Sequence, residues 1–277
     1  MTKKITKAQC LRIIINLFVI IIATVSVIPF ILMFLMSTQD NPTIFAGKIF
    51  TIGHSLADNF ETILEAEYFR SLFNSIIVSV SSTVLTVFFS AMAGFGFAKY
   101  NFRHKKLVYQ LVILTMMVPM EVGLVAFVWE MRVLHLSKTF LPLILPNIAN
   151  AFGVFWMTQY IKDSFPYELI ESGRIDGCTD MGIFLRMALP IIKPAIFTLA
   201  VISFLQSWNS YLLPMIMIND PKKFTVPLVI ASIGNMFVAD YGARLLAVAV
   251  GILPIMIIFI IFSKQITEGL ASGAVKG

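Results

Sequence analysis

Two groups of residues in this chain have types and spacings that could carry chemistry, and in both the chemistry is recognition rather than bond-making. The first is a polar island at 162–193, KDSFPYELIESGRIDGCTDMGIFLRMALPIIK, set between long apolar stretches. Ser164 and Pro166 can open a helix there, one by accepting from orphan N–H groups and the other because its missing N–H is harmless in a first turn. Glu168 and Glu171 follow in the early turns, where the helix dipole favours anions. After Gly173 comes Asp176, then Gly177, which can adopt positive φ and stop the helix. Thr179 or Asp180 can then cap a second helix running through Phe184 to Pro190. The second group is Gln206, Trp208, Asn209 and Tyr211, within FLQSWNSY at 204–211. Aromatic faces and uncharged amides together suit a hydroxyl-rich, uncharged ligand, and in a helix Trp208 and Tyr211 share a face. The same rings could equally pack on a neighbouring helix, with Asn209 bonding across the interface. Glu121 stands alone in an apolar stretch, roughly 21 Å into a helix if that stretch is unbroken. A carboxylate at such depth is costly and reads as functional. It could face a passage through the membrane or be a buried structural group.

Bond-making chemistry finds no support. His54, His104 and His135 are scattered, Cys10 and Cys178 are far apart, and no Cys/His cluster has metal-ligand spacing. Neither a Gly-x-Ser-x-Gly elbow nor a Gly-x-x-x-x-Gly-Lys-Ser/Thr phosphate loop occurs. Gly94 and Gly96 form only a small-residue pair suited to helix packing.

The elements that must position these groups are membrane helices. Hydrophobic residues make up 58% of the 277 and charged residues 13%, and mean hydropathy is +0.88. Soluble domains carry about 25% charged residues. Stretches of roughly 20 apolar residues, enough to span a bilayer, are expected at 11–36, 71–98, 107–131, 139–161, 191–218 and 242–263. The fourth contains Pro142, Pro146, Asn147 and Asn150, so a broken or cavity-lining helix is expected there. The first lacks an Ala-x-Ala cleavage pattern and is read as a retained anchor. No stretch suits a separate soluble domain, and there is no internal repeat.

Lys and Arg bias sets the orientation. With the N-terminus inside, the inner face collects 14 basic residues, including Lys3, Lys4, Lys99, Lys105, Lys162 and Lys276, against 7 outside. Both termini and the island are therefore expected in the cytoplasm. Topology accounts for the basic excess, and no nucleic-acid partner is implied.

The island resembles the EAA loop of the membrane subunits of ABC importers. The matching residues are Glu171, Gly173, Asp176, Gly177 and Leu189-Pro190, with Pro166, Glu168-Leu169, Ile175, Phe184 and Pro194 around them. Ser172, Gly173 and Cys178 stand where the family usually has Ala, and all are small enough to keep close packing. Gln206 to Tyr211, the ending GAVKG at 273–277, Pro119-x-Glu121 and Asn74-Ser75 resemble the maltose-type carbohydrate subfamily, in its second, shorter permease subunit.

This resemblance implies an all-α, six-span type I permease fold. An anchor helix and first external loop would occupy 1–70, the permease core 71–265, and a cytoplasmic tail 266–277. It implies a bacterial cell-membrane location and pairing with a second permease. Two ATPase subunits, which would bind ATP and magnesium, and an extracytoplasmic sugar-binding protein complete the assembly, so no cofactor is expected in this chain. Glu168, Glu171, Gly173, Asp176 and Gly177 would couple to the ATPases. Glu121, Gln206, Trp208, Asn209 and Tyr211 would be candidates for the substrate path. A glycerol-phosphate diester is an alternative cargo. An ion-driven transporter would instead call for intramembrane charge pairs and inverted repeats, which are not seen.

Overall fold

In a bilayer every backbone N–H and C=O must be satisfied within the protein, and helix does this locally. The computed structural model describes residues 7–234 and 239–274, and it is helical, with no β-strand among them. The chain forms two compact units.

The first unit holds residues 1–68 and 230–252. Helix α1 (Lys7–Met36) is apolar on every side, and its Leu11–Met36 portion buries no residue. α2 (Asn41–Phe45) is capped by Asp40, which accepts from the Thr43 N–H at 3.1 Å. The cap lowers the Asp40 pKa through its bonds to Thr43. α3 (Leu56–Glu65) carries buried Asn59, whose amide donates to the carbonyls of Ser37 at 2.8 Å and Gln39 at 3.0 Å. The buried Tyr68 hydroxyl donates to the Ala247 carbonyl at 2.6 Å.

The second unit holds residues 69–229 and 253–277. α4 (Tyr68–Lys99) supplies its long helix. Then come α5 (Lys105–Thr115), α6 (Leu124–Val133), α7 (Leu141–Ile148), α8 (Ala151–Ser164), α9 (Glu168–Ile175) and α10 (Asp180–Ile183). A π-turn at Phe184–Ala188 joins α10 to α11 (Leu189–Ile191), followed by α12 (Lys193–Trp208), α13 (Leu212–Met217) and α14 (Val226–Ser232). α15 (Tyr241–Ala274) starts in the first unit and ends in this one. Gly94 and Gly153 let α4 and α8 touch: a Cβ on Gly94 would lie 2.6 Å from Met157 Cβ, and one on Gly153 2.4 Å from Ser90 Oγ. A Cβ on Gly96 would meet nothing within 4 Å, so only Gly94 of that pair packs.

Four helical stretches are long and apolar enough to cross a membrane: Leu11–Met36, Tyr68–Lys99, Leu141–Ser164 and Tyr241–Ser263. The third is broken at Ala149, as its prolines and asparagines require, and Asn150 restarts it by accepting from the Gly153 N–H at 2.7 Å. The other two expected spans come out differently. At 107–131 the helix stops after Thr115 and resumes at Leu124, with a 3-10 turn at Met120–Gly123. Pro119 cannot donate to a helix and disfavours helical geometry before it. At 191–218 there is likewise no single helix. Asp180–Ile191 and Lys193–Trp208 meet at 82° beside Pro190 and Pro194, and a second break at Asn209–Tyr211 precedes α13. The tail expected from residue 266 is helical as far as Ala274. Lys3, Lys4 and residues 275–277 lie outside the described residues, as do the contacts of the Cys10 side chain.

Candidate functional site

The island folds as a helical hairpin fixed to the bundle above it. Ser164 ends α8 rather than opening α9: its hydroxyl donates back to the Tyr160 carbonyl at 2.7 Å. Pro166 begins the turn, and α9 has Tyr167 at its N-cap with no side-chain cap. The α9 C-terminus is a Schellman closure. The Gly177 N–H reaches the Arg174 carbonyl at 3.1 Å and the Cys178 N–H the Gly173 carbonyl at 2.9 Å, with Gly177 at φ +76°. Thr179, not Asp180, caps the next helix, accepting from the Gly182 N–H at 3.1 Å. Ile170 and Gly173 face inward, where a Cβ on Gly173 would already lie 3.0 Å from Ile183 Cγ1. Phe165, Ile170, Ile183 and Phe184 join Phe95, Met157, Ile161 and Leu199 in one buried cluster, so the hairpin is packed onto α4, α8 and α12.

What this anchoring leaves outside is a mixed acidic and apolar face. Glu168, Glu171 and Asp176 are exposed. So are Tyr167, Met181 and above all Ile175, at 86% exposure. Gly173, by contrast, is buried against Ile183 and Met187. Tyr167 and Met181 were missed by sequence reasoning, although an apolar residue within a helical pattern that has no inward position left is the signal for them. Across the turn, Arg174 Nη2 pairs with Asp180 Oδ1 at 3.1 Å, and its guanidinium lies 5.8 Å from the Tyr100 ring centroid. Arg174, and Tyr100 after it, hold the Asp180 carboxyl below its usual range. The Tyr100 hydroxyl is buried beside that carboxylate. Burial first, then the neighbouring carboxylate, raises its pKa.

The second group lies where helices break. A cavity of about 150 Å³ is lined by Glu121, Asn147, Gln206, Ser207, Ser210 and Thr225, with Val78, Leu124, Leu143 and Leu213 among its apolar walls. Glu121 is exposed on the 3-10 turn, so it is neither mid-helix nor a buried structural carboxylate. Gln206, from the last turn of α12, meets it across the cavity. The Thr225 hydroxyl is buried there without a partner.

The rest of the expected cluster does not assemble. Trp208 is 3% exposed and stacks on Phe204, centroids 5.4 Å apart, so its faces are already used in packing. Since α12 ends at Trp208, Tyr211 does not share a helical face with it; Tyr211 and the C-capping Asn209 are both exposed outside the cavity lining. Asn147 lines the cavity from the stretch expected to be broken or cavity-lining, whereas Ser207, Ser210 and Thr225 were missed because they adjoin the cavity only once 107–131 and 191–218 are broken.

A larger cavity of about 400 Å³ lies beside α6 and the turn after α13, with Arg132, Lys138, Asp220 and Lys223 on its wall. Among the described residues no three metal-ligating side chains gather.

Residues 86–271 match the family described as binding-protein-dependent transport system inner membrane component. The arabinooligosaccharides transport system permease protein AraQ of Bacillus subtilis is 38% identical over 76% of this chain and 74% of its own. The lactose transport system permease protein LacG of Rhizobium radiobacter is 30% identical over 92% of each chain. A crystal structure of a bacterial ABC transporter involved in import of the acidic polysaccharide alginate contains a chain with TM-score 0.80 and 20% identity, covering 96% of this chain and 100% of that one. That likeness is one of fold.

Proposed function

The chain belongs to the binding-protein-dependent transport system inner membrane components, and on that premise we propose that it is a permease subunit of an ATP-driven sugar importer, with an oligosaccharide as cargo. Its relatives named for arabinooligosaccharides and lactose support the sugar. It pairs with a second permease to form the path. Two ATPase subunits bind ATP and magnesium beneath it, and an extracytoplasmic binding protein delivers the sugar. The chain crosses the membrane six times with both termini inside. In this arrangement α5 with α6, and α12 with α13, are broken third and fifth spans.

The observation that carries the coupling role is the hairpin. Exposed Ile175 and Met181 flank its turn as an apolar tip, exposed Tyr167, Glu168, Glu171 and Asp176 lie along the same hairpin, and its base packs on α4, α8 and α12. An ATPase cleft that grips this tip and closes on ATP displaces those helices as a body, which is the alternating-access step. The cavity of Glu121 and Gln206 supplies hydrogen-bonding groups to sugar hydroxyls. The topology is tested by labelling cysteines in intact cells with an impermeant thiol reagent. A cysteine at exposed His54 reacts from outside and one at Ser172 does not; the reverse pattern removes the docking argument.

One observation favours a second cargo. The cationic wall of Arg132, Lys138 and Lys223 suits an acidic sugar or a glycerol-phosphate diester. Competition of uptake by matched neutral and acidic oligosaccharides decides between them, since inhibition by acidic sugars alone would reject the neutral reading.

A further inference from the structure

Three helix ends bring three ammonium groups together on the side of the second unit that carries the hairpin. Lys99 closes α4, Lys105 opens α5 and Lys162 lies in the last turn of α8. Lys99 Nζ donates to the Lys162 carbonyl at 3.5 Å, and Lys162 Nζ stands 5.6 Å from the Tyr109 ring centroid. The Gln159 amide donates to the Tyr109 hydroxyl at 3.2 Å, which fixes the ring and ties α5 to α8. Glu168 from the hairpin and Asp163 from the end of α8 attract Lys99, while Lys105 and Lys162 repel it. Burial, and repulsion by Lys162 after it, lower the Lys105 pKa. Asp163 and Glu168 act on Lys99, while Lys105 and Lys162 repel each other, and an anion bound between them would relieve that repulsion.

Position identifies the counter-charge. Lys99 is the final residue of the Tyr68–Lys99 span, and Lys162 lies in the last turn of Leu141–Ser164, so the cluster sits at the level of the lipid headgroups. Tyr109 is an interfacial residue type in the same place. Below the cluster, α5 exposes Leu107, Val108 and Leu111, an apolar strip of the kind that acyl chains cover. Cations at the headgroup level beside exposed apolar surface are the pairing that a phospholipid needs.

We propose that Lys99, Lys105 and Lys162 hold the phosphate of an anionic phospholipid of the inner leaflet, with its chains laid along Leu107, Val108 and Leu111. The bound lipid would cement α4, α5 and α8 at the root of the hairpin. The leaflet assignment rests on the cytoplasmic placement of 162–193, whereas the binding itself does not.

Native mass spectrometry of the assembled importer, purified from membranes containing both phosphatidylglycerol and phosphatidylethanolamine, tests it. The wild type retains phosphatidylglycerol in preference, excess inorganic phosphate does not displace it, and K105Q/K162Q retains at least about tenfold less, the equivalent of about 1.4 kcal/mol. K105R/K162R restores retention, which separates lost charge from lost folding. Equal retention of the two lipids by the wild type overturns the proposal. So does displacement by phosphate, or loss of the ATPase subunits from K105Q/K162Q with lipid retention unchanged, which would make the lysines a protein contact. Selective retention alongside outside labelling of a cysteine at Ser172 would keep the lipid site and overturn only the leaflet.

Discussion

The hairpin at 166–191 and the cavity around Glu121 are built on opposite principles. The hairpin is locally determined: a Schellman turn at Gly177 and a cap at Thr179 fix it within about one helical turn, and a tightly packed glycine at 173 sets its two helices side by side. The cavity is assembled from residues far apart in sequence, brought together where three helical stretches fail at Pro119, Ala149 and Asn209. The contrast suits the proposed roles: a lever that transmits force must be stiff, as packed, hydrogen-bonded turns are, and a passage that releases its ligand needs unpaired polar groups, which broken helices provide.

Substitutions at the hairpin turn should have the largest effect, because one altered residue misplaces the whole lever. Gly177→Pro cannot keep φ at +76° and loses the N–H bonded to Arg174, so it should abolish uptake while the subunit still inserts. Gly173→Leu should follow: overpacking costs about 1–3 kcal/mol, and ATP hydrolysis should cease to respond to the binding protein. Normal uptake by either variant would mean that the stiffness of the hairpin is irrelevant.

Substitutions in the cavity should be graded and ligand-dependent. Gln206→Ala should cost about 1–3 kcal/mol of sugar binding, about ten- to hundredfold in uptake at low concentration, with maximal rate nearly unchanged. A fall in maximal rate with the same concentration dependence would assign Gln206 to the lever. Asp180 should give a smaller, pH-dependent effect. Its carboxyl is held below its usual range by Arg174, so its support of the hairpin is complete above the ordinary carboxylate pKa and is lost as pH falls through the lowered folded value. The protection of the Cys178 amide from hydrogen exchange, measured against the intrinsic rate at each pH, should therefore fall on acidification, and Asp180→Asn should flatten that dependence. Asn209→Ala should change least, within about 0.5 kcal/mol, because Asn209 is exposed and lies outside the cavity lining.

The same contrast explains what could be read from the sequence. The hairpin's turn, its second helix and the break near Asn150 were legible because Gly, Pro, Thr and Asn act on their immediate neighbours. Ser164 misled because its hydroxyl serves the helix behind it rather than the one ahead. The break at Asn209–Tyr211 carries no Gly or Pro, so an apolar run concealed it and placed Trp208 and Tyr211 on one face. Pro119 and Gly123 flank the break at Glu121, but the apolar residues around them read as one helix. Which polar groups meet across the cavity is a tertiary fact that spacing along the chain does not contain.

The central claim is that the exposed apolar tip of the hairpin is where ATPase motion enters the membrane. The most direct measurement is ATP hydrolysis stimulated by the binding protein, in reconstituted importer carrying Ile175→Asp, alongside co-purification of the ATPase subunits. Ile175 is 86% exposed, so the substitution leaves the fold of this chain intact. The account predicts loss of stimulation, with the ATPase subunits weakly held or absent and the two permeases still paired. Wild-type stimulation with the ATPase subunits fully retained would contradict it.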